Sequence, residues 1–66
     1  MMKKELRAAM AKYGDTYKTL AKALGITIPA LSHKVNEQRP FKQKEISIMI
    51  DRYELSGDDA IRIFFT

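Results

Sequence analysis

Gly25 is the residue that most constrains how this chain can fold. It follows an apolar helical pattern formed by Leu20, Ala21 and Leu24, and Ile26 comes directly after it. A chain that reverses direction within a few residues needs a left-handed backbone conformation, which glycine adopts without strain. We therefore predict two short helices joined by a turn at Gly25, with Ile26 filling the turn.

The second helix of this pair is predicted to begin at about Ile28. Thr27 can cap it through its hydroxyl, and Pro29 is tolerated in the first turn, where its missing N–H would have no helical partner. Leu31 and Val35 are four residues apart, and we expect both to face the core. The remaining side chains are expected to point outward: Ile28, Pro29, Ser32, His33 and Asn36.

A further helix is predicted before this pair. It runs from Lys3 to Lys12 or Tyr13, and its inward positions are Leu6, Met10 and Tyr13, with Ala9 beside them. Gly14 ends it, and either Asp15 or Thr16 caps the next helix, from which Lys18 and Lys22 point outward.

A polar connection, residues 37–42, follows the pair. Pro40 prevents helical continuation there, and Phe41 is expected to anchor the connection in the core. The next helix is predicted from Gln43 to Tyr53, with Ile48 off its apolar stripe, either as a stray exposed residue or as part of a contact surface. The stripe consists of Ile46, Met49, Ile50 and Tyr53.

The C-terminal segment ends in several large apolar residues. Ser56, followed three residues later by Asp59, resembles a capping box and predicts a short fifth helix. On this helix Ala60, Ile61, Phe64 and Phe65 would share one face and Ile63 would lie outside it. The alternative is a short strand with Ile61, Ile63 and Phe65 alternating. We expect Phe64 to dock on the core, leaving a partner surface formed by Ile48, Ile63 and Phe65.

The length and composition limit the class of protein. Sixty-six residues suffice for a single all-α domain, residues 1–66, with one small core of four or five helices. There is no cysteine, and no apolar run approaches the roughly 20 residues of a membrane helix, so we expect a cytoplasmic protein of a bacterial cell. One histidine, no cysteine, no glycine-rich phosphate loop and no carboxylate pair in an evident pocket leave no catalytic constellation, so we expect no enzyme, cofactor or metal.

The charge is divided unevenly along the chain. Residues 1–44 contain ten Lys and Arg against three Asp and Glu, whereas residues 45–66 contain two against five. The basic part includes the predicted helix pair, and this distribution suits a polyanionic partner. Surplus lysine also serves merely to keep a protein in solution, so charge alone does not decide the partner.

In type and spacing, six residues resemble the phage repressor and Cro-like (XRE-type) helix-turn-helix family: Leu20, Ala21, Leu24, Gly25, Ile26 and Leu31. The run L-S-H-K-V-N-E-Q-R-P-F-K-Q-K-E-I further resembles small phage or prophage regulators that carry L-S-x-K-[IL]-N, a basic loop, Pro-Phe and Glu-Ile. The resemblance covers roughly residues 6–65. It implies a lambda-repressor-like helix-turn-helix domain with its motif at residues 16–36, and a function in transcriptional control.

The resemblance also implies which residues would contact DNA. A helix of this kind enters the major groove, where base edges carry the sequence information. The base contacts would come from Ile28, Pro29, Ser32 and His33, and the phosphate contacts from Thr16, Tyr17, Asn36, Arg39 and Lys42.

Four positions depart from the family pattern. Tyr17 replaces a frequent glutamine, so a side-chain amide contact does not transfer to this chain. Ile28 and Pro29 stand where some relatives have amides, which favours apolar contact with thymine methyl groups. Lys42 replaces the Ser or Thr with which relatives often begin the next helix, so that helix is expected to fray at its start.

The expected partner is a palindromic double-stranded operator, bound by a homodimer that forms in solution or only on the DNA. Half-sites would lie about 34 Å apart, one turn of the duplex. Occlusion of a promoter by a Cro-like repressor without a sensing domain is the expected outcome. The alternative is a protein-interaction module, of an antirepressor or antitoxin-like kind, that binds another regulator through the same scaffold.

Overall fold

All regular structure in residues 1–65, the part of the chain that the computed structural model describes, is helical. Five helices follow one another: α1 (Lys3–Lys12), α2 (Tyr17–Leu24), α3 (Ile28–Val35), α4 (Gln43–Arg52) and α5 (Gly57–Phe64). They pack into a body of 28 × 24 × 21 Å. The all-α class is therefore confirmed, and residues 57–64 form the predicted helix rather than the alternative strand.

Three helices begin at hydroxyl caps that the sequence predicts. Thr16, Thr27 and Ser56 each accept the backbone N–H three residues further on, at 3.1–3.2 Å. Thr16, rather than Asp15, is thus the cap of α2. These bonds satisfy N–H groups that have no partner within the helix, so each helix starts at a residue fixed by local chemistry.

Gly25 joins α2 to α3 in the left-handed conformation, with φ 70° and ψ 30°. The backbone N–H of Ile26 donates to the Ala21 carbonyl at 3.0 Å, and Ile26 itself packs against the core. The predicted turn is confirmed. It folds α3 back onto α2, with which α3 makes its main helix contact.

Replacing Gly25 by Ala is expected to lower the free energy of unfolding by about 1 kcal/mol, because a Cβ disfavours the left-handed conformation. A Cβ built at Gly25 meets no atom within 4 Å, so the effect is conformational rather than steric. Gly57→Ala is the matched control, since Gly57 has no positive φ and is equally open. Denaturant unfolding of both variants measures the difference, and equal stability would contradict this account of the turn.

The core lies where the helices meet. Leu6, Leu20, Leu31, Val35 and Met49 are completely buried, and Tyr53 is buried beside them. Leu31 and Val35 therefore face inward as predicted. Their burial leaves the opposite face of α3 on the surface.

The prediction for Tyr13 was wrong. It was expected to continue the buried stripe of α1, yet its side chain is 39% exposed. Helix α1 ends at Lys12 and the chain turns at Gly14, where φ is 71°. Tyr13 instead lies against the ring of Tyr53, with centroids 5.6 Å apart, and donates its hydroxyl to Glu54.

The predicted apolar face of α5 was wrong in part: Ala60 is buried and Phe64 packs against the core as expected, but Ile61 and Phe65 do not share that face. Ile63 is 3% exposed and belongs to the core, whereas Ile61 and Phe65 are 58% and 65% exposed. Ala60 and Ile63, three residues apart, share the buried face, because α5 packs against α1 and the Met2 N–H donates to the Ile63 carbonyl. Ile63 therefore cannot belong to the expected partner surface.

Two expectations about α4 need correction. Its start is not left to fray, because the Glu45 carboxylate accepts the backbone N–H of Lys42 at 2.7 Å. Ile48 is neither a stray exposed residue nor a free contact surface, since it is half-buried and packs against the core. The buried stripe is confirmed at Met49 and Tyr53, while Ile46 and Ile50 are half-buried.

Candidate nucleic-acid interface

The outward face of α3 is the main candidate surface. Ile28 is 46% exposed, and Pro29 and His33 are also exposed. Ser32 is half-buried, and its hydroxyl oxygen accepts a hydrogen bond from the Asn36 amide at 3.3 Å. Positions four apart on a helix lie on the same side, so these residues form one continuous strip on α3.

The connection after α3 folds back onto the end of that helix. The backbone N–H groups of Gln38 and Arg39 donate to the His33 carbonyl, at 2.8 and 3.3 Å. Glu37 supports the reversal with a left-handed backbone, φ 62°. The backbone of Arg39 is thereby held next to the turn of α3 that carries His33.

Two cations of this connection are available to an anion. Arg39 and Lys42 are exposed, and within residues 1–65 neither side chain forms a direct ion pair, although the charge of Lys42 also acts on Glu45. Phe41 lies between them in sequence and is half-buried against the core, with its ring edge-on to Phe64 at a centroid distance of 6.1 Å. The connection is thus anchored by its apolar residue and presents its cations to solvent.

The start of α2 forms a second, smaller candidate surface. The first N–H groups of a helix have no partner within it and favour an anion there. Thr16 caps this end, and Tyr17 is half-buried with its hydroxyl accepting a bond from Arg7 at 3.4 Å. The sequence analysis did not identify Arg7, because its closeness to Tyr17 depends on how α1 packs.

A buried ion pair connects α3 to α4, and sequence reasoning missed it. Lys34 Nζ lies 2.6 and 2.7 Å from the two carboxylate oxygens of Glu45. Burial raises the pKa of Glu45, but the bonds from Lys34 and from the Lys42 N–H outweigh it, so the pKa is lowered overall. Lys34 follows Leu31 by three residues, which is a signal that it faces inward.

A second charged cluster lies at the start of α2, around Asp15. Its carboxylate accepts bonds from Arg52 at 2.6 and 2.7 Å, from the Tyr53 hydroxyl at 2.6 Å and from Thr19 at 2.7 Å. The bonds from Arg52 are the main reason that the pKa of Asp15 lies far below its ordinary value. Burial and Asp15 together raise the pKa of Tyr53. This cluster attaches α4 to α2, and its cation, Arg52, is held by Asp15.

Residues 1–65 offer neither a metal site nor a membrane-spanning helix. No cluster of three or more His, Asp or Glu side chains is arranged to hold a metal ion in this part of the chain. Nor does any helix described there have the length and apolar character needed to cross a membrane.

Comparisons with family models, curated proteins and solved structures find no match to this chain. The candidate surface is defined by its own chemistry: a strip on α3 with apolar and imidazole groups, next to a connection with two exposed cations.

Proposed function

We propose that this protein is a sequence-specific double-stranded DNA-binding transcriptional regulator with a lambda-repressor-like helix-turn-helix fold. The observation that carries the proposal is the α2–Gly25–α3 unit, which buries Leu31 and Val35 while Ile28, Pro29 and His33 remain on the surface. A strip of this kind on one short helix suits the major groove, which is about 12 Å wide and admits a helix.

In this proposal the side chains of α3 contact base edges. Ile28 and Pro29 would contact thymine methyl groups, and His33 would donate to guanine N7 or O6. Ser32 would contribute less selectivity, because its hydroxyl both donates and accepts and already pairs with Asn36. The readout is therefore mainly apolar, with His33 as the main polar contact.

Phosphates would be held from two sides of this strip. Arg39 and Lys42 would neutralise phosphate charge and release counterions, with Asn36 beside them. The N–H groups at the start of α2, near Thr16 and Tyr17, would provide a further anion contact.

We further propose that two copies bind a palindromic operator and repress transcription by covering a promoter. One module of this size makes few base contacts, and two-fold symmetry doubles them over half-sites about 34 Å apart. Ile61 and Phe65, exposed four residues apart at the end of α5, replace the surface expected from Ile48 and Ile63 as the apolar area available for pairing.

His33→Ala is expected to weaken binding to the selected operator by about 1–3 kcal/mol and to leave binding to random duplex nearly unchanged. The reason is that a base contact contributes only where the correct base is present. Fluorescence anisotropy with both duplexes measures the two affinities. An equal loss on both would contradict base reading by His33.

Changing Arg39 and Lys42 to Ala is expected to weaken binding to all sequences. The slope of log affinity against log salt should fall by about one unit for each residue, because each releases about one counterion. Lys4→Ala combined with Lys12→Ala is the charge-matched control, since both lysines are exposed on α1. A slope that falls equally in the control would assign the effect to net charge instead.

A salt titration separates this function from a protein-interaction module. That second candidate is favoured by the exposure of Ile28, Ile61 and Phe65, which are apolar residues that a partner protein would cover. After selection of binding sites from a random duplex pool, the affinity of a DNA-binding protein should fall steeply with salt. Failure to enrich any sequence, together with a flat salt response, would favour the protein partner.

A further inference from the structure

Lys34 and Glu45 form a charged pair in the interior that the proposed DNA contacts do not use. Their side chains are 9% and 6% exposed, and Lys34 Nζ reaches both carboxylate oxygens within 2.7 Å. Removing two charges from water is costly, and apolar residues of similar volume often stabilise such a position equally well. The pair is therefore better explained by the geometry that it imposes than by stability alone.

The pair connects the two ends of the segment that carries the proposed phosphate contacts. Lys34 directly follows His33 in α3, and Glu45 lies in the first turn of α4. Glu45 also accepts the backbone N–H of Lys42, so one carboxylate holds both α3 and the last residue of the connection. At the other end, the Arg39 N–H donates to the His33 carbonyl.

We infer that Lys34 and Glu45 are positioning residues that fix Arg39 and Lys42 relative to the outward strip of α3. This inference rests on the proposed function. With the connection held in this way, base contacts from His33 and phosphate contacts from the two cations are made at the same time. Neither Lys34 nor Glu45 touches the DNA, because both are buried.

The test replaces the pair by apolar side chains of similar length, Lys34→Met with Glu45→Met. No buried charge is left unpaired, so the variant is expected to stay folded. Circular dichroism and a cooperative melting transition check that it does. Its affinity for the selected duplex is expected to fall about tenfold or more, and its salt slope to decrease by up to about two units, because Arg39 and Lys42 no longer engage together. Lys34→Arg, which keeps a cation against Glu45, should retain the slope of the parent protein.

A measurement without DNA tests the positioning itself. The heteronuclear NOE of residues 37–42 is expected to fall in the Met pair and to stay high in Lys34→Arg. If the Met pair does not fold, Lys34→Gln with Glu45→Gln is measured instead. It replaces the ion pair by a weaker neutral hydrogen bond, so both readouts should shift in the same direction by a smaller amount.

The outcomes distinguish this inference from the proposed function. A parent protein that binds with a steep salt slope, and a folded Met pair with the same affinity, slope and loop order, would overturn the positioning role alone. A parent protein without salt-dependent binding would overturn the proposed function, and the role in DNA binding with it. A loss of loop order in the Met pair would then still support the positioning of residues 37–42.

Discussion

Glu45→Gln is expected to lower the free energy of unfolding by about 3 kcal/mol or more, the largest effect of any single substitution considered. The substitution removes the charge that pairs with Lys34 and leaves an ammonium group in the interior, which is strongly destabilising. A domain of this size has a small margin of stability, so the variant should be largely unfolded under mild conditions. Denaturant unfolding followed by circular dichroism measures the change.

The control is the double variant Lys34→Met with Glu45→Met. It contains neither charge, and its stability should return close to that of the parent protein. A double variant that is as unstable as Glu45→Gln would mean that the ion pair itself, rather than the orphaned charge, stabilises the fold. If the free energy of unfolding of Glu45→Gln lies within about 1 kcal/mol of that of the parent protein, the result would contradict the buried state of Lys34.

Asp15→Asn is expected to have the second largest effect, a loss of about 2–3 kcal/mol at neutral pH. The carboxylate accepts bonds from Arg52, Tyr53 and Thr19, and hydrogen bonds to a charged acceptor are the strongest of those between side chains. In the variant, an NH2 group that donates and cannot accept replaces one of the two carboxylate oxygens, and the remaining oxygen is uncharged, so bonds from Arg52 or Tyr53 are lost or weakened.

The effect of Asp15→Asn should depend on pH in a defined direction. The bonds from Arg52 lower the pKa of Asp15 in the folded protein, so the unfolded chain binds more protons than the folded one in acid. The contribution of Asp15 to the free energy of unfolding is complete above the pKa of about 4 that its carboxyl has in the unfolded chain. This contribution is lost progressively as the pH falls below that value toward the lower pKa of the folded protein. The difference between the parent protein and the variant, measured by unfolding at pH 7, 4 and 3, should therefore shrink in acid. A difference that is constant over this range would assign the effect to shape rather than charge.

The features that the sequence predicted correctly depend on neighbours in the chain. Gly25, Thr27 and Ser56 act on backbone groups within a few residues, so their roles follow from spacing alone. The inward placement of Leu31 and Val35 follows from helical periodicity in the same way. This local information was enough to predict which side of α3 remains outside.

The features that were missed or wrong depend on how the helices pack. Periodicity placed Tyr13 and Ile61 inward, but the end of α1 and the contact of α5 with α1 left both exposed. The pairing of Lys34 with Glu45 joins residues 11 apart across two helices, and that of Asp15 with Arg52 joins residues 37 apart. No local pattern identifies such partners, although the spacing of Lys34 three residues after Leu31 indicates an inward side chain.

For the candidate site, the sequence predicted the exposed strip on α3 but not how it is supported. Arg39 and Lys42 were expected to contact phosphates, and the bond from the Arg39 N–H to the His33 carbonyl places the Arg39 backbone beside α3. The second support, from Glu45 to the Lys42 N–H, was not foreseen because Lys42 departs from the usual capping residues.

The most direct test of the central claim is to map backbone amide chemical shifts while the selected duplex is added to labelled protein. If α3 enters the major groove, the largest changes should fall on residues 28–33, on the connection 36–42 and on the start of α2 at residues 16–18. Changes confined to the exposed end of α5 around Ile61 and Phe65, or no change at a stoichiometric amount of duplex, would contradict it.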